Sequence, residues 1–314
     1  MKRAAALSTL FGVLLALGTA LPAGAAEIVT RNPKQIGLAT DNQGRAMVTY
    51  FQRGRMWHVF YSGAINARPP SQSGAQVKFK VDYSGGRGQW RRFANTCRRY
   101  DGPKLPWFVA ACKASDGSYW ALQAWQPKLP NAGYAPWTSA QTVSELHISH
   151  WTGPVAQLEV YTAWTFGGSV HSIFGRGTYR GQPIFGFKSS PSGVPLDTFG
   201  RLVYLDTFAS AYGSGWRHEN SFLLHKNSGM FCYAFNPTST YGGYPHQRTK
   251  KLAGNGKKYR LTLSGPGVTP DVAWVGDGLP AYDAGNQTLV DLQTQMTAKL
   301  KEMVATYRDT ECGR

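Results

Sequence analysis

The apolar residues of this chain come in short alternating runs, cut every few positions by Gly, Pro, Asn or Asp. A period of two places apolar side chains on one face of an extended backbone, so such runs build strands. In residues 76–83, Val77, Phe79, Val81 and Tyr83 alternate with Lys78, Lys80 and Asp82, which predicts a half-buried strand with a charged outer face. Residues 45–51 and 55–61 flank Gln52-Arg53-Gly54, a hairpin loop. Residues 107–113 and 119–125 flank Ser115-Asp116-Gly117, another turn. Runs at 158–164, 201–208, 230–235, 259–263 and 271–275 continue the pattern.

One segment departs from it. Leu289, Leu292, Met296, Leu300, Met303 and Tyr307 are spaced by three and four, which is one face of a helix, and Asn286 stands where an N-cap belongs. The expected fold is therefore mainly β: sandwich-like antiparallel sheets, in one or two modules, with a C-terminal amphipathic helix. An aromatic content of 13% excludes a wholly disordered chain.

The first 25 residues read as a signal peptide. Lys2 and Arg3 precede an apolar stretch too short to span a bilayer comfortably, Pro22 ends it, and Ala23-Gly24-Ala25 offers a small-residue cleavage site. No later stretch reaches 18 uninterrupted apolar residues, so no transmembrane segment is expected after cleavage, and the expected location is secreted or extracytoplasmic. The Pro- and Gly-rich run at 126–136 divides the rest into an N-terminal β module, 26–136, and a C-terminal β module with the terminal helix, 137–314.

Cys97, Cys112, Cys232 and Cys312 all follow the cleavage site, and an even count in an exported chain reads as disulfides. Of the three connectivities, Cys97–Cys112 closes a short loop holding Gly102, Pro103 and Pro106, and Cys232–Cys312 ties the last residues to a strand. There is no C-x-x-C and no His at a matching spacing, so no metal site and no cofactor is expected.

Thirty-four Lys and Arg against seventeen Asp and Glu leave a net charge of +17. The cations cluster. Arg87, Arg91, Arg92, Arg98, Arg99 and Lys104 form one group with Asp101 as its one acid; Arg248, Lys250, Lys251, Lys257, Lys258 and Arg260 form another, around Gly254-Asn255-Gly256, with none. Six cations at a hairpin tip, with no acid nearby in sequence, point to a polyanion partner. Aromatic residues interleave with polar ones at Tyr119, Trp120 and Trp125, at Tyr134 and Trp137, and at Tyr241 and Tyr244; flat rings on a β face stack on sugars.

The most suggestive loop is Tyr212-Gly-Ser-Gly-Trp216, followed by His218 and Glu219. His218 as general base, Glu219 as acid and Asp206 as the group orienting the imidazole would make a hydrolytic set. Neighbouring residues on a strand point to opposite faces, however, so His218 and Glu219 converge only on a turn. No G-x-S-x-G elbow, Walker or dinucleotide pattern is present, and the His spacing is not that of a zinc peptidase. The sequence leaves open whether the protein is an enzyme. Its expected function is a secreted basic binding or envelope-associated protein recognising an acidic or carbohydrate polymer of the cell envelope or surroundings, with Tyr212, Trp216, Lys250, Lys251, Lys257 and Lys258 as contacts. The alternative is a secreted hydrolase acting on polysaccharide.

Overall fold

Two pairs of antiparallel sheets face each other across separate apolar cores in the computed structural model. It describes residues 26–69, 76–125, 143–165, 168, 170–185, 202–210, 213–225, 227–235 and 257–313; of 202, 207–210, 213–221 and 235 it describes the backbone alone.

The first pair is built from β1 (Glu27–Arg31), β2 (Lys34–Thr40), β3 (Ala46–Gln52), β4 (Arg55–Gly63), β5 (Phe79–Asp82), β6 (Phe108–Lys113), β7 (Tyr119–Trp125) and β8 (Glu145–Trp151). The strands pair as β2-β3-β4-β5 in one sheet and β1-β8-β7-β6 in the other. Strand β8 follows the 126–136 run in sequence and pairs with β1 and β7. Alternation decides the inner face. Ala46, Val48 and Tyr50 of β3 sit opposite Tyr61, Val59 and Trp57 of β4, and they meet Trp120, Leu122, Leu146 and Ile148 of the other sheet. Each such burial contributes about 1.5–3 kcal/mol relative to exposure. The β3–β4 turn needs two left-handed residues, supplied by Arg53 at φ 51° and Gly54 at φ 76°; this is the turn hand that matches strand twist.

The second pair holds β9 (Gln157–Thr165), β10 (Val170–Tyr179), β11 (Gln182–Pro183), β12 (Leu202–Ser210), β13 (Gly213–Leu223), β14 (Met230–Phe235), β15 (Lys258–Leu263) and β16 (Val272–Asp277). Strands β9, β10, β11 and β14 form one sheet, and β13-β12-β15-β16 the other. Helix α1 (Gln287–Tyr307) lies on the far side of the first of these, with Met296, Leu300, Met303 and Tyr307 packed on Ala163, Phe174 and Met230. Asn286 caps it by accepting a hydrogen bond from the Thr288 amide. The expected mainly β fold, with sandwich-like sheets and a C-terminal helix, is what the chain adopts. Cys97–Cys112 and Cys232–Cys312 are both bonded as the spacing predicts.

The two sandwiches are joined through the β15–β16 connection. Val268 enters the first core, and its carbonyl accepts a hydrogen bond of 2.8 Å from the His150 amide. His150 is buried, stacks on Trp120 at 3.8 Å, and bonds through Nδ1 to the Ala64 carbonyl and through Nε2 to Ser118 Oγ. Burial pushes its pKa down to about 4.

Candidate ligand-binding surface

The β12–β13 ladder places the residues that the sequence picks out for hydrolysis. Asp206 pairs with His218 and Phe208 with Trp216, and a slip in register between Leu205 and Asp206 leaves Glu219 as the extra residue of a bulge. Directly paired residues share a sheet face, so this register brings the positions of Asp206 and His218 together and sets Glu219 out of the alternation. Of Trp216, His218 and Glu219 only the backbone is described, and Tyr212, Lys250 and Lys251 lie outside the described residues.

Asp206 is fully buried. Its Oδ2 accepts hydrogen bonds from Arg260 Nε at 2.9 Å and Thr262 Oγ1 at 3.3 Å, both on the adjoining strand β15. The Arg260 guanidinium lies 4.2 Å over the Trp107 ring of the first sandwich. Burial pulls the arginine's pKa down further than Asp206 pulls it back up, and the two form a buried ion pair.

This arrangement also changes the reading of the second basic run. Arg260 lies on the sheet face opposite the core residues Tyr259 and Leu261, but it is covered there by Trp107 and is not a surface cation. Lys257 and Lys258 are exposed, with the Lys258 ammonium 3.9 Å from Asp277 of β16. Acids distant in sequence, Asp206 and Asp277, thus compensate part of the run.

The first basic group is exposed throughout, at Arg87, Arg91, Arg92, Arg98, Arg99 and Lys104. The 3-10 segment Gly86–Arg92 packs on the outer face of the β2–β5 sheet, because Trp90 stacks on His58 of β4 at 3.8 Å. Arg91 lies 5.2 Å from the Trp90 ring, and Arg87 lines a cavity of about 580 Å³ with Arg45, Asp82 and Ser84. The chain then passes round the sheet edge. There Arg98 bridges to Lys113 of β6 and donates to the Ala114 carbonyl. By Tyr100 it reaches the outer face of the opposite sheet, where Tyr100 and Leu105 pack with Ala121 and Trp151. Exposed cations thus punctuate this cation belt, the segment that leads from one face of the sandwich to the other.

At the end of that belt lies an aromatic patch. Tyr100 sits edge-on to Tyr119 at 5.4 Å and 6.4 Å from the ring of Phe108, a residue 53% exposed. Asp101 accepts hydrogen bonds from Lys113 Nζ and Tyr119 Oη, both at 2.7 Å. Those bonds hold the Asp101 carboxyl below its usual range, Lys113 chiefly, and raise the Lys113 ammonium and the Tyr119 phenol. An exposed ring beside a fixed carboxylate, ammonium and phenol suits C–H faces and hydroxyl groups, and the cations next to it suit acidic groups.

Sequence reasoning found Tyr119 and the cations but not Tyr100, Asp101, Phe108 or Lys113. The signal lay in the parity of β6: Phe108 stands across the sheet from the core residue Cys112 only after a register shift, which the sequence does not mark. Trp120 is fully buried, and Trp125 stacks on His147 at 3.8 Å, so neither joins the patch. Two disulfides are compatible with an extracellular protein, and among the described residues no helix is long and apolar enough to cross a membrane. Neither the protein families, the curated proteins nor the solved structures compared with this chain yield a match.

Proposed function

We propose that the protein is an exported basic binding protein that recognises an acidic or carbohydrate polymer of the cell envelope or its surroundings. The observation that carries this reading is the exposed cation belt running into the Tyr100–Phe108–Tyr119 patch. A polymer lying along the belt would release counterions at each neutralised acid and stack its apolar faces on the exposed ring. Export rests on the N-terminal Lys2-Arg3, apolar stretch and Ala23-Gly24-Ala25.

The test is affinity of the mature protein for polygalacturonate and for a neutral glucan across a salt series. Tight, salt-sensitive binding to the acidic polymer is expected. Replacing Arg98, Arg99 and Lys104 with Gln should flatten the log K against log salt slope by about two, by analogy with phosphate polymers. An unchanged slope removes the belt as the contact.

A second reading, a secreted hydrolase acting on polysaccharide, draws on the pairing of Asp206 with His218. It requires that His218→Ala abolish glycan cleavage without lowering the melting temperature.

A further inference from the structure

Residues far apart in sequence meet where the end of the chain returns to the second sandwich. Cys312 is bonded to Cys232 of β14. His225 Nδ1 lies 3.8 Å from Cys312 Sγ and 3.1 and 2.9 Å from the two Asp309 carboxylate oxygens. The ligand atoms of His225, Cys232 and Cys312 all fall within 4.8 Å of one another. Asp309 is buried and is oriented by Ser228 Oγ at 2.6 Å and by the Cys312 amide at 2.7 Å.

We propose that this cluster is a redox-gated metal site: when the Cys232–Cys312 disulfide is reduced, the two thiolates, His225 and Asp309 bind a zinc-like divalent cation. A borderline-soft ion of this kind takes tetrahedral sulfur, nitrogen and carboxylate ligands. With Zn–S near 2.3 Å and Zn–N near 2.0 Å, tetrahedral angles put sulfur and nitrogen about 3.5 Å apart and nitrogen and oxygen about 3.3 Å apart. The separations here, 3.8 Å and about 3 Å, are close to those values. The two sulfurs must part to about 3.7 Å, and Cys232 Sγ and the Asp309 carboxylate must close on the ion as they do.

The tail stays docked without the disulfide. Met303, Val304 and Tyr307 pack on the sheet, and the Arg176 guanidinium lies 3.9 Å over the Tyr307 ring while donating to the Ser228 carbonyl. The ligands therefore remain close together after reduction. Asp309 faces the same ring nitrogen that faces Cys312, so it becomes the fourth ligand once Nδ1 exchanges its hydrogen bond for the metal and the ring proton moves to Nε2.

The reaction balances. A dithiol reductant gives two electrons and two protons to the disulfide and closes to its own disulfide. Metal binding then releases the two thiol protons. The other disulfide is an internal control: Thr40 Oγ1 stands 3.2 Å from Cys112 Sγ, and among the described residues no histidine or carboxylate completes a cluster there.

The test uses the mature protein, reduced with a phosphine under argon and titrated with Co²⁺. The reduced protein should take one equivalent and show the absorption of tetrahedral cobalt–thiolate, and the oxidised protein should show none. The Cys97→Ser/Cys112→Ser variant should keep that spectrum. His225→Ala should weaken binding at least tenfold while the reduced variant keeps the β-sheet circular dichroism of the reduced parent. The proposal falls if the reduced protein gives no such spectrum, if His225→Ala leaves affinity unchanged, or if reduction abolishes the β signal.

Discussion

Gln123 and Asp271 exchange two hydrogen bonds across the joint between the sandwiches: Gln123 Nε2 donates to the Asp271 carbonyl at 3.1 Å, and the Asp271 amide donates to Gln123 Oε1 at 3.0 Å. The Gln123 amide group thereby stands in for a strand partner, and it binds β7 to the β15–β16 connection. Both residues are buried, so removal of the side chain takes partners from two groups that water does not reach. Gln123→Ala should cost about 2–6 kcal/mol, since each of the two deprived buried groups costs about 1–3 kcal/mol. Urea unfolding of the oxidised protein checks this. The parent should unfold in one transition and the variant in two, as the sandwiches uncouple; one transition with an unchanged midpoint would show that the pair is not what joins them.

Two buried histidines give the fold an acid-labile window. His150 and His171 each have a pKa pushed down to about 4 by burial, against an ordinary value of 6.5. Both are neutral in the folded chain, and the unfolded chain takes up their protons first. Their contribution to stability is therefore complete above pH 6.5, falls as the pH drops through the window from 6.5 to 4, and changes no further below 4. The slope should approach about 1.4 kcal/mol per pH unit for each histidine. Denaturation midpoints measured from pH 7.5 to 4.5 should fall, and His150→Gln should flatten the fall by about half.

Phe108 and Trp120 separate binding from folding. Phe108 is 53% exposed at the aromatic patch, and Trp120 is fully buried against Phe79 and His150. Phe108→Ala should lower affinity for polygalacturonate severalfold with a stability change under about 0.5 kcal/mol. Trp120→Ala should cost about 3–5 kcal/mol. A Phe108→Ala protein that binds as tightly as the parent would exclude the patch.

The strands and the helix were legible because each writes its own period. Val77, Phe79 and Val81 alternate, Leu300, Met303 and Tyr307 follow a helical face, and Arg53-Gly54 marks the hairpin. The disulfide pairing was favoured but not fixed by sequence: Cys97 and Cys112 flank a short Gly- and Pro-containing loop, and only the fold selects among the three connectivities. Partner choice among the strands was not legible. Nothing local says that β8 joins β7 and β1, or that β12 and β13 slip by one residue so that Asp206 meets His218. The parity of Arg260, between the inward-facing Tyr259 and Leu261, shows that it lies on the other sheet face. That this face is also covered depends on Trp107, which arrives from the first sandwich. The His225–Cys232–Cys312 cluster, with Asp309 bonded to its histidine, left no trace in spacing, because a fold assembles it from three separate elements.

The ion pair of Asp206 and Arg260 yields the sharpest distinction between charge that binds and charge that supports the fold. Arg260 belongs in sequence to the same basic run as Lys257 and Lys258, yet it is 8% exposed and bonds a fully buried carboxylate directly opposite it on the neighbouring strand. Replacing it with Gln leaves the Asp206 charge buried without its guanidinium, and truncating one partner of a buried pair costs about 3–5 kcal/mol. Replacing both Lys257 and Lys258 removes two solvated charges, one of them in a loose contact with Asp277, and should change stability by less than about 0.5 kcal/mol. Arg260→Gln with Asp206→Asn should recover part of the loss, because no unpaired charge then remains inside. Thermal unfolding of the three variants checks the order. If Arg260→Gln melted with the parent while flattening the salt dependence of polymer binding, Arg260 would be a contact residue and the internal pairing would be energetically idle.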